Sequence, residues 1–180
     1  MSLQPGSEHA GMFNPGHKAL RRGRCSEAGR IYLITFVTRD RNPLFRDFNI
    51  ASAACRTIIK SAQAAGVELG CWVLMPDHFH GLVRLGKTSN LARALQRMKG
   101  QSAAACRIAM SRDEAVWSRA FHDHALRSDE DVAACARYVI ANPIRKGLVD
   151  DVMAYPYWDA PWLMFEAVAC TQAPTPELVV

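Results

Sequence analysis

The feature that most constrains this fold is a pair of apolar, strand-like runs with only two residues between them. Residues 67–75 (VELGCWVLM) and 78–85 (HFHGLVRL) are rich in β-branched and aromatic side chains, and Pro76-Asp77 joins them. That spacing reads as an antiparallel hairpin closed by a tight turn. Upstream, residues 31–38 are β-branched and aromatic and read as a first strand, ended by the turn signal Asn42-Pro43. Between Phe48 and Ala65 the apolar residues Ile50, Ala54, Ile58, Ala62 and Ala65 recur at helical spacing, and Gly66 closes the helix.

A second helix is expected over residues 90–111, with Leu91, Leu95, Met98, Ser102 and Ala105 as its inner stripe and Arg93, Arg97 and Arg107 off it. Residues 117–127 read as a short strand or irregular edge. Ser128-Asp129-Glu130-Asp131 resembles a helix N-cap with acids in the first turn. The third helix should end near Ala141, because Pro143 disfavours helical geometry at Asn142. The aromatic segment from Tyr155 to Trp162 reads as a wrap against the body. The order strand, helix, strand, strand, helix, strand is the β-α-β-β-α-β pattern of an α+β, ferredoxin-like (RRM-like) fold. Both of the first two helices are expected on one face of its antiparallel sheet, the other face is left open, and a C-terminal helix carries Tyr138.

With 180 residues, 49% hydrophobic and 22% charged, the composition is that of one globular domain. The division expected is a basic N-terminal arm over 1–29, a single domain over 30–163 and a tail over 164–180. The apolar runs are far short of a membrane span, and no secretory leader is recognised. The six cysteines form no C-x-x-C pair and read as reduced core thiols. Charge is divided: residues 1–149 hold all 22 Lys and Arg against 12 acids, whereas 150–180 hold five acids and no base. Residues 84–112 alone carry seven basic residues and no acid. A basic body suggests a polyanionic partner, with a soluble basic protein as the plain alternative.

Two constellations carry chemistry. In His78-Phe79-His80, residues two apart on a strand share a face, so the two imidazoles project together while Phe79 enters the core. Such a pair can chelate a divalent metal, or it is simply a hairpin with two exposed histidines. His122 and His124 have the same spacing. On the third helix, Tyr138 and Asn142 lie at i and i+4 on one face, away from Val132, Ala136 and Val139. They read either as a tyrosine beside an acceptor oxygen for a metal, or as a half-buried core tyrosine and a helix-ending amide.

Together the two change the reading. The stretch Val73-Leu74-Met75-Pro76-Asp77-His78-Phe79-His80-Gly81-Leu82-Val83, followed by Tyr138-Val139-Ile140-Ala141-Asn142-Pro143-Ile144-Arg145-Lys146-Gly147-Leu148-Val149, resembles the single-tyrosine HUH (transposase 17-like) superfamily. Within it the chain is most similar to the REP-associated tyrosine transposases. The strand over 32–38 with Asn42-Pro43-Leu44-Phe45, the stretch ending in Lys99-Gly100, and Val116-Trp117 through Phe121-His122-Asp123 follow in family order, so the resemblance covers roughly 30–163. It implies that His78 and His80 bind a metal, usually Mg²⁺ or Mn²⁺, that Asn142 supplies a third ligand, and that Tyr138 is the nucleophile. Two imidazoles and an amide oxygen make a mixed site with positions left for phosphate oxygens. The implied reaction is site-specific cleavage and rejoining of hairpin-associated single-stranded DNA, as in transposition, through a 5′-phosphotyrosine. Implied too are a monomer or a homodimer that exchanges its tyrosine helix, no membrane association, and a cytoplasmic, nucleoid-associated bacterial setting.

Arg21, Arg22 and Arg24 of the arm and Arg93, Arg97 and Lys99 of the second helix are the expected backbone-neutralising residues, with a solvated helix face as the alternative. Trp117, Phe121, Tyr157 and Trp158 read as base-stacking or core aromatics. Two rival functions stand beside the transesterase. One is a domesticated, non-catalytic nucleic-acid-binding module, which the absence of an RNP1-like strand weakens. The other is a metal-dependent hydrolase using both histidine pairs and water.

Overall fold

The computed structural model describes residues 26–127 and 132–163. Five strands form one antiparallel sheet: β1 (Ile31–Val37), β2 (Val67–Met75), β3 (His78–Leu85), β4 (His122–Ala125) and β5 (Trp158–Asp159), in the order β4-β1-β3-β2-β5. The first four are in the ferredoxin-like order, and β5 is added at the β2 edge. The hairpin spans the residues expected of it.

Alternation decides what lies on each face. Tyr32, Ile34 and Phe36 of β1, Trp72 and Leu74 of β2, and Phe79 and Val83 of β3 are buried on one face, beneath α1 (Phe48–Ala64) and α2 (Leu91–Met110). Helix α1 begins where the Asp47 carboxylate accepts from Asn49 N and Ile50 N at 2.8 and 3.1 Å, a cap that contributes about 1 kcal/mol. It ends at Gly66, whose φ of +65° is the left-handed geometry glycine tolerates. Asn90 caps α2 in the same way through Arg93 N. The buried stripe of α2 differs from expectation at its end: Cys106 faces the core and Ala105 lies half-exposed.

The second face is not left open as the sequence pattern suggests. Helix α3 (Val132–Ile140) lays Ala136 and Val139 over Cys71, Val73, Met75 and Leu82, and Tyr155 and Ala160 extend the same apolar layer. Tyr155 Oη donates to Leu74 O at 2.8 Å, and the Trp162 indole packs at the bulge in β2, where a Cβ on Gly70 would overlap it. The aromatic wrap therefore covers a sheet face. At the end of that face where β3 begins, His78 and His80 are half-buried.

Residues 26–29, expected in the arm, are tied to the body: Leu91 N donates to Ser26 Oγ at 3.1 Å and Gly29 N to Leu85 O at 2.8 Å. Ser128 to Asp131, expected as the third helix cap, lie outside the described residues. Among the described residues no helix is long and apolar enough to cross a membrane.

Candidate active site

The site is built on the first three residues of β3. Phe79 is fully buried and stacks on Phe36 at 4.9 Å and on Trp72 at 6.1 Å, so the strand cannot roll about its axis. His78 and His80 must then share the opposite face; their ring centroids are 6.5 Å apart.

Each imidazole is held through Nδ1. His78 Nδ1 meets Asp77 Oδ1 at 2.6 Å, and His80 Nδ1 meets Thr35 Oγ1 at 2.5 Å across the β1–β3 pairing. Engagement of Nδ1 by an oxygen is the arrangement that orients histidines at metal sites. Asp77 is itself fixed. Its carbonyl accepts from Thr38 N and Thr38 Oγ1 at 2.8 and 3.0 Å, and its Oδ2 lies 3.2 Å from Arg41. Asp40 and Arg41 both have left-handed backbones, φ +54° and +56°, a strained pair beside the site.

Burial lowers the pKa of both imidazoles. His80 falls to about 4, with repulsion from His78 and Arg145 adding to burial. His78 is lowered mainly by burial, against the pull of Asp77. Burial raises the Asp77 carboxyl, but the hydrogen bond and charge of His78, with Arg41, outweigh it and hold it below its ordinary value. Both histidines are thus neutral near pH 7, as metal ligation requires.

Tyr138 comes from α3. Its neighbours Ala136 and Val139 anchor the helix, and Cys71 Sγ lies 3.9 Å from Ala136 O. Tyr138 itself is 41% exposed, and its ring stands 6.4 Å from that of His80 at an interplanar angle of 68°. The Arg145 guanidinium lies 4.2 Å from the centre of the same ring. Helix α3 ends at Ile140, and α4 (Asn142–Arg145) starts with Pro143 in its first turn, a position proline suits. Asn142 Nδ2 donates to Val139 O at 2.8 Å and Tyr138 O at 3.3 Å, which leaves its Oδ1 as the end available to a cation.

Among the described residues no three His, Cys, Asp or Glu side chains converge to hold an ion. A cation held by His78 and His80 would need oxygen donors beyond those side chains. Two imidazoles with engaged Nδ1 atoms and one amide oxygen would make a mixed nitrogen–oxygen set that accommodates a divalent ion without selecting one.

The other expected residues divide. Arg93 and Arg97 are exposed, but on α2, which covers the sheet face opposite the imidazoles. Arg21, Arg22 and Arg24 lie outside the described residues. Lys99 Nζ donates to the carbonyls of Ser118, Arg119 and Ala120 at 2.7, 3.1 and 3.0 Å, so its ammonium staples a loop. Trp117 is core, its indole N–H donating to Ser102 Oγ at 2.9 Å; Phe121, Tyr157 and Trp158 are half-buried. His122 and His124 pair with Thr35 and Leu33 and share the face of His80. The whole of β1 intervenes, so the backbones of His122 and His80 stand two strand spacings apart, about 10 Å.

Thr35, Asp77, Arg41 and Arg145 were not singled out from the sequence. Arg145 had a signal: it stands seven residues after Tyr138, two helical turns along the same face. The contacts of Thr35 and Arg41 exist only once strands and turns are paired.

The family model "Transposase IS200 like" matches residues 28–142. Over 101 residues the chain is 27% identical to the REP-associated tyrosine transposase of Escherichia coli (strain K12), a match covering 56% of this chain and 58% of that protein. It thus spans less than two thirds of that relative's length. A solved structure of a REP-associated tyrosine transposase bound to a REP hairpin shares the fold, with a TM-score of 0.66 and 23% identity over 86% of this chain and 88% of that one. The resemblance read from the sequence is borne out. With the matched span running through β1, the imidazole pair of β3 and Tyr138 to Asn142, the chain belongs to the IS200-like transposase family.

Proposed function

We propose that this protein cuts and rejoins single-stranded DNA beside hairpins, with Tyr138 as the nucleophile. The observation that carries the proposal is the 6.4 Å approach of the Tyr138 ring to His80 within one chain. In cleavage, Tyr138 Oη bonds to phosphorus, the bond from phosphorus to the 3′ oxygen breaks, and the phenolic proton is lost as the 3′-OH gains one. The phosphodiester energy is retained in the 5′-phosphotyrosine, so a 3′-OH can reverse the step.

A phenol titrating near ~10 is a weak nucleophile at neutral pH, so its developing charge needs help. His78, His80 and Asn142 would hold the divalent ion, Mg²⁺ or Mn²⁺. Bound there, it supplies Lewis-acid polarisation of the scissile phosphate and stabilises charge in the transition state. Asp77 and Thr35 keep the imidazole rings turned, and their neutral state leaves lone pairs for binding. Arg93 and Arg97, with Arg21, Arg22 and Arg24 of the arm, would neutralise the DNA backbone around a catalytic domain of residues 30–163. Contact with both α2 and the imidazole face requires the DNA to pass around a sheet edge. The solved relative bound to a REP hairpin supports a hairpin partner.

The test is incubation with hairpin-flanked oligonucleotides and Mg²⁺ or Mn²⁺, followed by a denaturing gel. A protein-linked strand that disappears in Tyr138→Phe is the expected result. Cleavage that survives the substitution would show hydrolysis, and retention without cleavage a binding module.

A further inference from the structure

We propose that Arg145 is the positioning residue of Tyr138, a planar cation that fixes the phenol ring at its place beside His80. The inference rests on the reading of Tyr138 as the nucleophile and adds a residue to it.

Tyr138 lies off the buried stripe of α3, and at 41% exposed its ring is not seated in the core. Its ring lies 6.4 Å from that of His80 and under the Arg145 guanidinium at 4.2 Å. The second is well inside the range of a cation–π contact. A guanidinium over a ring makes this contact through its charge, without needing a hydrogen-bond acceptor there. Among the described residues Arg145 has no ion pair with a carboxylate, so no salt bridge competes for it. Arg41, the other arginine beside the imidazoles, is held by Asp77.

The backbone delivers Arg145 to this position. Ala141 N donates to Arg137 O at 3.0 Å and Arg145 N to Ala141 O at 3.0 Å, so the hydrogen-bond ladder bridges the break between α3 and α4. The Asn142 amide, bonded to the last carbonyls of α3, and the buried Pro143 lock that junction. Two turns after Tyr138 the arginine returns to the same side and lies over the ring. Because rejoining retraces cleavage, a residue that aims the ring affects both steps alike.

The test uses the full chain carrying Arg145→Ala or Arg145→Lys. Arg145 is exposed, so neither change disturbs the core. Single-turnover formation of the protein–DNA adduct should slow by about ten- to a hundredfold in Arg145→Ala, the penalty of a misplaced reacting group. Rejoining should slow by the same factor while hairpin affinity holds. Arg145→Lys, which keeps the charge and loses the planar face, should recover only part of the rate. A second readout needs no metal and no turnover. The chain has four tyrosines, so 3-fluorotyrosine labelling gives a short ¹⁹F spectrum in which Tyr138 is assigned by its absence from Tyr138→Phe. That resonance should move in Arg145→Ala with the other three in place. An unchanged rate, a rate loss matched by an equal affinity loss, or an unmoved ¹⁹F resonance would overturn the inference. Should Tyr138→Phe itself still cleave, the nucleophile reading falls, and the ¹⁹F shift alone then decides whether Arg145 orients the ring.

Discussion

Tyr138 turns its ring edge-to-face toward His80, centroids 6.4 Å apart and planes at 68°, with both residues in one chain. Helix α3 reaches the imidazoles of its own sheet without a partner's help. Mixing Tyr138→Phe with the double variant His78→Ala/His80→Ala should therefore restore no cleavage. Recovery of roughly a quarter of the wild-type activity, the share expected if tyrosines were exchanged at random between paired chains, would show that the tyrosine acts in the other subunit. The gel assay for the covalent adduct reads this directly.

Asp77 grips His78 Nδ1 at 2.6 Å and is gripped in turn by Arg41 and Thr38. Asp77→Ala should weaken Mn²⁺ binding by about ten- to a hundredfold, the usual effect of losing the partner that orients a ligand. Calorimetric titration of Mn²⁺ into the metal-free chain measures it. Equal affinity in the two proteins would mean that His78 does not bind the ion.

The depressed pKa of His80 gives the metal-free protein an acid-side weakness. Burial, then repulsion from His78 and Arg145, holds the folded-state value at about 4. An unfolded histidine titrates near ~6.5, so below that pH the unfolded chain takes up a proton that the folded chain refuses. Stability is complete above ~6.5 and falls as the pH drops toward 4, by up to roughly 3 kcal/mol from this residue. Urea unfolding with chelator present, from pH 7 to pH 4.5, should show the loss. His80→Gln should flatten it; the same slope in both proteins would contradict the assignment.

Arg93 and Arg97 stand exposed on α2. If each contacts a phosphate, replacing either with Ala should make the log–log salt dependence of hairpin binding shallower by about 0.7 to 0.9. Fluorescence anisotropy at several salt concentrations is the measurement. An unchanged slope would remove that arginine from the interface.

Lys99 should behave in the opposite way. Its ammonium is spent on the carbonyls of Ser118, Arg119 and Ala120, and burial lowers its pKa. Lys99→Met should cost about 1.5 to 3 kcal/mol of stability, the range for hydrogen bonds involving a charged group, and leave the salt slope untouched. Denaturant unfolding set beside the anisotropy series separates the two roles.

The parts of this molecule legible in the sequence are those with a local cause. The hairpin over 67–85 follows from two β-rich runs about a Pro-Asp turn, and the shared face of His78 and His80 follows from strand alternation. The pairing of Tyr138 with those imidazoles was implied by family resemblance, since no local rule links residues 58 apart. What the pattern missed depends on tertiary packing. The sheet face expected to be open is covered because α3, Tyr155 and Ala160 have nowhere else to bury their apolar sides. Lys99 looked like one more charge on a basic helix, because the loop of residues 118–120 passes beneath it only in the folded chain. Thr35 meets His80 through the β1–β3 register, and a single strand carries no record of its partner.

The stacking of Phe79 between Phe36 and Trp72 has an evolutionary consequence. A deletion or insertion of one residue between Pro76 and Phe79 would present imidazoles to the hydrophobic interior and an aromatic ring to the solvent, ruining fold and chemistry at one stroke. This segment can therefore diversify by exchange of side chains but not by change of length, and descendants that have abandoned catalysis should still preserve its spacing.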